Sequence, residues 1–245
     1  MEKAGNTEKM CYCDTIPWQG GVRSMKRLFI VGSGGFGREV LWLVRRINED
    51  SLKKGKARLW EIGGFIDDDQ KMYGTYQDDC RVVGGCEYLK ELKEDVWVVV
   101  SIGSAKVKKS VVEKLEKFSN IHFAVLIDPS SVISDRVEIG EGSIICAGNV
   151  LTVDIQIGKH VILNLDCTVG HDVVIEDYVM VYPGVHISGN VHIGESAELG
   201  TGMQVIQGKK IGKQGIIGAG AVVVKDIPEK CTAVGSPAKP IKFFE

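Results

Sequence analysis

From Ile127 onward every sixth residue is a branched aliphatic: Ile127, Ile133, Ile139, Ile145, Leu151, Ile157, Leu163, Val169, Ile175, Val181, Ile187, Ile193, Leu199, Val205, Ile211, Ile217 and Val223. Two residues before these sites the side chain is often Val or small, as at Val137, Ser143, Val161, Cys167, Val173 and Ala197, and glycine often follows them, as at Gly140, Gly158, Gly170 and Gly194. A period of six matches neither the 3.6 of a helix nor the two-residue alternation of a free strand, but it fits short flat strands with one turn per hexapeptide. Three such strands closing a triangle use about 18 residues per coil, and each coil hydrogen-bonds to those above and below at roughly 4.8 Å. The pattern therefore predicts a parallel β-helix of about five to six coils, its aliphatics stacked inside. Ordinary sandwich strands are joined by loops of varying length, which would lose the phase.

The chain before the repeat has a different rhythm. Lys26-Arg-Leu-Phe-Ile-Val31 reads as a strand ending in Gly32-Ser-Gly-Gly-Phe-Gly37, and Arg38 to Asn48 carries apolar residues at helical spacing. Gly32, Gly34 and Gly37 have the spacing that lets backbone N–H groups approach a phosphate at a helix N-terminus. A second strand, Ile62 to Ile66, ends in Asp67-Asp-Asp69, and a third, Val96 to Ile102, ends at Gly103 before a helical stretch from Val107 to Phe118. The resulting expectation is an α/β, Rossmann-like domain over 25–126, the β-helix over 127–228, a tail over 229–245 and a flexible extension over 1–24. About 100 residues are short for two mononucleotide-binding halves, so one nucleotide fits better than a dinucleotide. Glycine loop and strand-end carboxylates would converge at the carboxyl edge of the sheet.

Charge narrows the partners. With 30 Lys+Arg against 32 Asp+Glu the formal net charge is −2, which supplies no basic field for nucleic acid. No apolar run approaches the roughly 20 residues that span a bilayer, and the first 24 residues lack a signal peptide's apolar segment, so no membrane partner and a cytoplasmic location are expected. Seven cysteines at irregular spacing read as reduced structural thiols; the close pair Cys11 and Cys13 lacks the partners of a zinc site, and no metal is expected.

Of the five histidines, His171 stands apart, in Leu165-Asp-Cys-Thr-Val-Gly-His-Asp-Val-Val-Ile175. It lies two residues past the inward Val169, at a turn where a side chain points outward, with Asp172 beside it. A neutral imidazole next to a carboxylate is suited to take a proton from an attacking group near pH 7. His186 and His192, each immediately before an inward position, read as surface groups. No Gly-x-Ser-x-Gly elbow and no cysteine marked as reactive is present, which favours direct transfer over a covalent intermediate. Asn164, seven residues before His171, either orients the imidazole, holds the acceptor, or is an ordinary turn asparagine.

The order of these parts, Gly32-Ser-Gly-Gly-Phe-Gly37, Phe65-Ile-Asp-Asp68, Ile102-Gly103, the hexapeptides with Gly170-His-Asp172, and the terminal Gly235-Ser-Pro-Ala-Lys239, resembles the sugar O- and N-acyltransferases of bacterial glycan biosynthesis over residues 26 to about 240. It is closest to the group that acetylates the 4-amino group of UDP-linked 4-amino-4,6-dideoxy sugars, alongside the sialic acid O-acetyltransferases. The resemblance implies a left-handed β-helix, acetyl-CoA as co-substrate, a nucleotide-sugar substrate and a homotrimer with sites between subunits. It also implies His171 as general base, Asp172 as the group that raises its basicity where the family often has Glu, and Asn164 beside the base. The nucleotide-sugar would lie against Gly34, Gly35, Phe36, Asp67, Asp68 and Gly103, and acetyl-CoA against Met180, Gly189, Thr201 and Ala219, with Gly189 N–H as an oxyanion donor. Two alternatives are O-acetylation of a sialic acid or related sugar, and a non-catalytic trimeric sugar-nucleotide-binding module.

Overall fold

The structure, a computed structural model, describes residues 25–244; the expected extension 1–24, with Cys11 and Cys13, lies outside the described residues. The chain opens with strand β1 (Lys26–Val31), helix α1 (Gly35–Lys53) and strand β2 (Trp60–Ile66). A hairpin of β3 (Tyr76–Gln77) and β4 (Cys80–Gly84), helix α2 (Cys86–Glu91), strand β5 (Val96–Val100), helix α3 (Ala105–Leu115) and strand β6 (Ile121–Phe123) follow. The sheet order is β3-β4-β2-β1-β5-β6, parallel apart from the β3/β4 hairpin. Because the chain leaves β1 on one side to reach β2 and returns on its other side as β5, the carboxyl end of β1 is a topological switch point, where open α/β sheets form a crevice. The hairpin and α2 gave no periodic signal: their strands are short, and six-residue α2 is too brief to show a helical face.

Helix α1 begins at Gly35, three residues earlier than the apolar spacing indicates, because its first turn is part of the glycine loop. Gly37 is required by close approach: a Cβ there would meet the Gly32 carbonyl oxygen at 2.1 Å. Gly32 itself has φ of +103°, a conformation that side chains rarely adopt.

From Leu126 the chain winds into a left-handed parallel β-helix with three faces. The first face stacks strands at residues 126–127, 144–145, 162–163, 180–181, 198–199, 216–217 and 231–234. The second runs from Val132–Ile133 to Val222–Val223, and the third from Val137–Ile139 to Lys210–Ile211. Each strand pairs with the one 18 residues later, so Ile145, Leu163, Val181, Leu199 and Ile217 form one inward column. That column and those of Ile139 and Leu151 make a single buried core. Of the stretch read as a tail, Cys231–Val234 adds a strand to the first face, and Lys239–Phe243 folds back antiparallel upon it.

The first face carries the N-terminal domain. Leu126, Ile144, Ile162 and Met180 point outward from it and are buried against Val40, Leu41 and Val44 of α1. A charged clasp sits beside this seam: Asp128, 1% exposed, accepts from Arg46 Nε at 2.6 Å and Nη2 at 2.9 Å. Farther along, Tyr182 Oη donates to Gly103 O at 2.9 Å, and Ala105 N–H donates to Glu198 Oε1 at 3.1 Å. The two halves are thus held by apolar packing plus polar ties at both ends of the seam.

Candidate functional site

At the switch point lies a cavity of about 510 Å³ lined by Ser33, Gly34, Gly35, Arg38, Asp67, Asp69, Met72 and Gln77. Asp67 organises it. Its Oδ2 accepts from Ser33 N–H at 3.1 Å and Ser33 Oγ at 2.5 Å, while Oδ1 accepts from Asp69 N–H at 3.1 Å. The carboxylate therefore ties the glycine loop to the end of β2 and fixes the direction of the loop's remaining N–H groups. Gly34 and Gly35 leave open space above the start of α1, where N–H groups and the helix dipole favour an anion. Arg38 stands on the first turn of that helix, half-exposed and 4.0 Å from Asp78, so the mouth of the cavity also holds a cation.

Three expected substrate contacts do not line this cavity. Asp68 turns away: its Oδ1 accepts from Cys86 N–H at 2.8 Å at the start of α2, and its Oδ2 meets Lys114. Burial pushes its pKa up, but Cys86 N–H and Lys114 outweigh that and hold it below the usual carboxylate value. Phe36 packs, half-buried, against the apolar cluster of α1 and the first coils. Gly103 is drawn to the β-helix by Tyr182. Sequence reasoning missed Ser33, Arg38, Asp69, Met72 and Gln77. Ser33 and Arg38 were within reach, since they sit inside and just after the glycine run; Met72 ends a single 3-10 turn and Gln77 a two-residue strand, elements too short to carry a motif.

The second constellation is on the β-helix, at the corner between its second and third faces. There the turns at Val153-Asp154, His171-Asp172 and Gly189-Asn190 lie one above another, joined by Asp172 N–H to Val153 O at 3.1 Å and Asn190 N–H to His171 O at 2.8 Å. Asp172 has φ of +57°, a left-handed geometry that Asp and Asn tolerate better than larger side chains. From that position its Oδ2 holds His171 Nδ1 at 2.7 Å. The shorter carboxylate thus reaches the ring directly. Both side chains are about half exposed, at 50% and 52%, and Nε2 has no hydrogen-bond partner among the described residues. Gly189 lies directly beside that edge: a Cβ on it would stand 2.5 Å from His171 Nε2 and 2.6 Å from Cε1.

The other expected residues are elsewhere. Asn164 is at the corner between the first and second faces, with its Oδ1 accepting from Leu165 N–H at 2.7 Å, so within one chain it does not orient His171. Thr201 and Ala219 stack at that same corner, exposed, with Thr201 O accepting from Gly220 N–H at 2.9 Å. Met180 is a correction: it is 2% exposed, on the first face, sealed under α1, and offers nothing to a ligand in a groove. Each face is one strand wide, so one protomer cannot bring the His171 corner and the Thr201 corner together.

Two further features qualify the histidine reading. His160, which no motif singled out, is 1% exposed, stacked on Tyr178 with ring centroids 5.2 Å apart; its nitrogens have no partner, and burial pushes its pKa down to about 3. The described cysteines are buried and free, and burial pushes Cys86 and Cys167 up to about 11 and Cys146 to about 12, so none of these three is a ready thiolate.

Known proteins share this fold. Residues 27–115 match the PglD N-terminal domain. A mutant of perosamine N-acetyltransferase from Caulobacter crescentus, solved in complex with CoA and GDP-perosamine, is 30% identical; the match covers 89% of this chain and 98% of that one, with a TM-score of 0.79. The chain belongs to the hexapeptide-repeat sugar acyltransferases. Another structure in this group, WeeI from Acinetobacter baumannii AYE, is 34% identical over 89% of this chain and all (100%) of that one, with a TM-score of 0.77. UDP-N-acetylbacillosamine N-acetyltransferase of Bacillus subtilis is 34% identical over 124 residues, covering 50% of this chain and 52% of that protein. The chain therefore spans about half the length of that curated sugar acyltransferase. Among the described residues no helix is long and apolar enough to cross a membrane.

Proposed function

We propose that this acyltransferase moves the acetyl group of acetyl-CoA to the amino group of a nucleotide-activated amino sugar in bacterial glycan biosynthesis, without a covalent enzyme intermediate. The observation that carries the reading is the outward His171 imidazole, held at Nδ1 by Asp172 with Nε2 beside Gly189. The amine nitrogen attacks the thioester carbonyl, and His171 Nε2 takes its proton as the C–N bond forms. Asp172 stabilises the imidazolium, and Gly189 N–H, which has no acceptor among the described residues, faces the developing oxyanion. The C–S bond then breaks, and the proton on Nε2 passes to the departing CoA sulfur.

The cavity around Ser33, Gly34, Arg38 and Asp67 suits the nucleotide: N–H groups and a guanidinium for the diphosphate, carboxylates for ribose or base. CoA would lie along a groove bounded by Gly189 on one protomer and Thr201 and Ala219 on its neighbour. A homotrimer with three such seams supplies what one chain lacks, because the two corners never meet within a protomer. GDP-perosamine in the Caulobacter relative and the UDP-sugar named for the Bacillus relative support an amino-sugar nucleotide as acceptor.

The test is an assay of acetyl transfer from acetyl-CoA to UDP- and GDP-linked 4-amino sugars and to free sialic acids, with wild-type protein and His171→Ala. Turnover of an amine that falls at least ~100-fold in the variant is expected. Turnover of sialic acids alone would replace the acceptor with a hydroxyl, and an unaffected variant would remove the histidine from the chemistry.

A further inference from the structure

Where α3 meets the β-helix, two basic side chains are sealed inside the protein. Lys108, on α3, is 0% exposed, and its Nζ has no hydrogen-bond partner among the described residues. His160, at the turn between the third and first faces, is 1% exposed, and neither ring nitrogen has a partner there. Of the charges that bear on His160, that of Lys108 comes first, ahead of Lys159, so the amine and the imidazole are neighbours. His160 stacks on Tyr178 and meets Phe123 at right angles, with ring centroids 4.6 Å apart. Gly142, one coil earlier, brings no side chain to bond the ring: a Cβ there would stand 2.1 Å from Nδ1.

The carboxylates of the surrounding elements are engaged elsewhere. Glu195 pairs with Lys109 and Lys213, Glu141 pairs with Lys159, and Asp177 accepts from Lys159 N–H at 2.7 Å. Glu113 and Glu116 of α3 are exposed. None of them acts on Lys108, whose one perturbation is burial. A buried donor without an acceptor is costly, and more so when it carries charge. An ammonium brings three donors and a neutral imidazole one, so the partner this chemistry calls for is an acceptor. Beside an uncompensated positive charge at low dielectric, an anion is held more firmly than water.

We infer that Lys108 Nζ and the His160 ring bind a small monovalent anion of chloride size, which joins α3 of the N-terminal domain to the β-helix. A monatomic anion suits donors that come from only two side chains, because it imposes no lone-pair directions of its own. The site is separate from the His171 corner and from the cavity at the glycine loop, and the inference does not depend on the acetyl-transfer reading. With the anion bound, the buried ammonium is balanced and the coil at His160 is tied to α3 through a shared ligand.

Two measurements on the full chain test this. Crystals grown in sodium bromide, with data collected at the bromine edge, should show an anomalous peak in contact with both Lys108 Nζ and the His160 ring. Melting curves in sodium chloride and in sodium gluconate at equal ionic strength give the readout in solution. Once chloride is about a hundredfold above its Kd, the melting temperature should stand roughly 5 °C or more above that in gluconate. Lys108→Met, which keeps the length of the side chain without its charge, should melt alike in the two salts, and His160→Phe should lose most of the increment. If one variant fails to fold, the other carries the comparison, and the bromide map needs neither. The inference is overturned if no bromide peak lies at these two side chains, if wild-type protein melts alike in both salts at every concentration, or if the increment survives both substitutions.

Discussion

Gly189→Ala isolates the geometry of the proposed base with a single methyl group. Gly189 has no left-handed φ, so alanine fits its backbone without strain. The added Cβ would nevertheless stand 2.5 Å from His171 Nε2, 2.6 Å from Cε1 and 2.9 Å from Cδ2. Ordinary contact between such atoms begins near 3.5 Å, so one partner must move by about 1 Å. The coil is locked by Asn190 N–H to His171 O and Gly208 N–H to Gly189 O, whereas the imidazole is half exposed and held only through Nδ1. The ring therefore moves, and its 2.7 Å bond to Asp172 lengthens or breaks. A displacement of this size at a reacting group costs on the order of 100-fold in rate. Thermal stability should change little, since the clash is relieved into solvent. The assay is kcat for acetyl transfer, beside a melting curve and the acetyl-CoA KM. A variant with wild-type kcat and an unchanged melting temperature would refute the placement of His171 Nε2 at the reacting atoms.

Other substitutions probe separate parts of the account. Asp67→Ala releases Ser33 and Asp69 from their shared carboxylate; nucleotide-sugar KM should rise about tenfold or more with acetyl-CoA KM unchanged, checked by steady-state kinetics. Lys108 is fully buried in α3 with no partner for Nζ, and burial pushes its pKa down to about 7. Its folded value lies below its unfolded one, so the penalty is complete below about pH 7 and fades as pH rises toward 10.5. Lys108→Met should raise the melting temperature at pH 7 and flatten its climb between pH 7 and 10, read by scanning calorimetry. His160 follows the same sign in acid: its folded value is about 3 against an ordinary 6.5, so stability falls as pH drops from about 6.5 toward 3, and His160→Phe should blunt that fall. Asp128→Ala strands Arg46 at the seam; because that guanidinium is one-third exposed it rehydrates, and the expected loss is about 2 kcal/mol by denaturant unfolding.

Much of the architecture is legible in the sequence because one physical requirement repeats. A three-sided coil favours branched aliphatics at the inward position of each strand, so Ile145, Leu163, Val181 and Leu199 mark the period without reference to distant contacts. The glycine loop is legible for a similar reason, since Gly37 tolerates no side chain against Gly32 O. His171 and Asp172 stand out as an adjacent pair at a turn. What escapes is whatever depends on the direction a side chain takes between domains. Asp67 and Asp68 are neighbours with the same chemistry, yet one binds the glycine loop and the other the start of α2. Met180 follows the hexapeptide phase correctly, but only the docking of α1 on the first face shows that its outward position is buried. His160 gives no local signal at all, because its burial comes from Phe123 and Tyr178, which stand 37 and 18 residues away in the chain.

The central claim is that His171 on one protomer and the Thr201 and Ala219 corner on its neighbour make a single site. Complementation tests it most directly. His171→Ala and Ala219→Trp proteins, each inactive alone, are unfolded together, refolded at equal ratio and assayed. With random mixing in a three-fold ring, one seam in four joins an intact histidine to an intact corner, so about a quarter of wild-type activity should return. Mixed oligomers no more active than the separate variants would contradict the account.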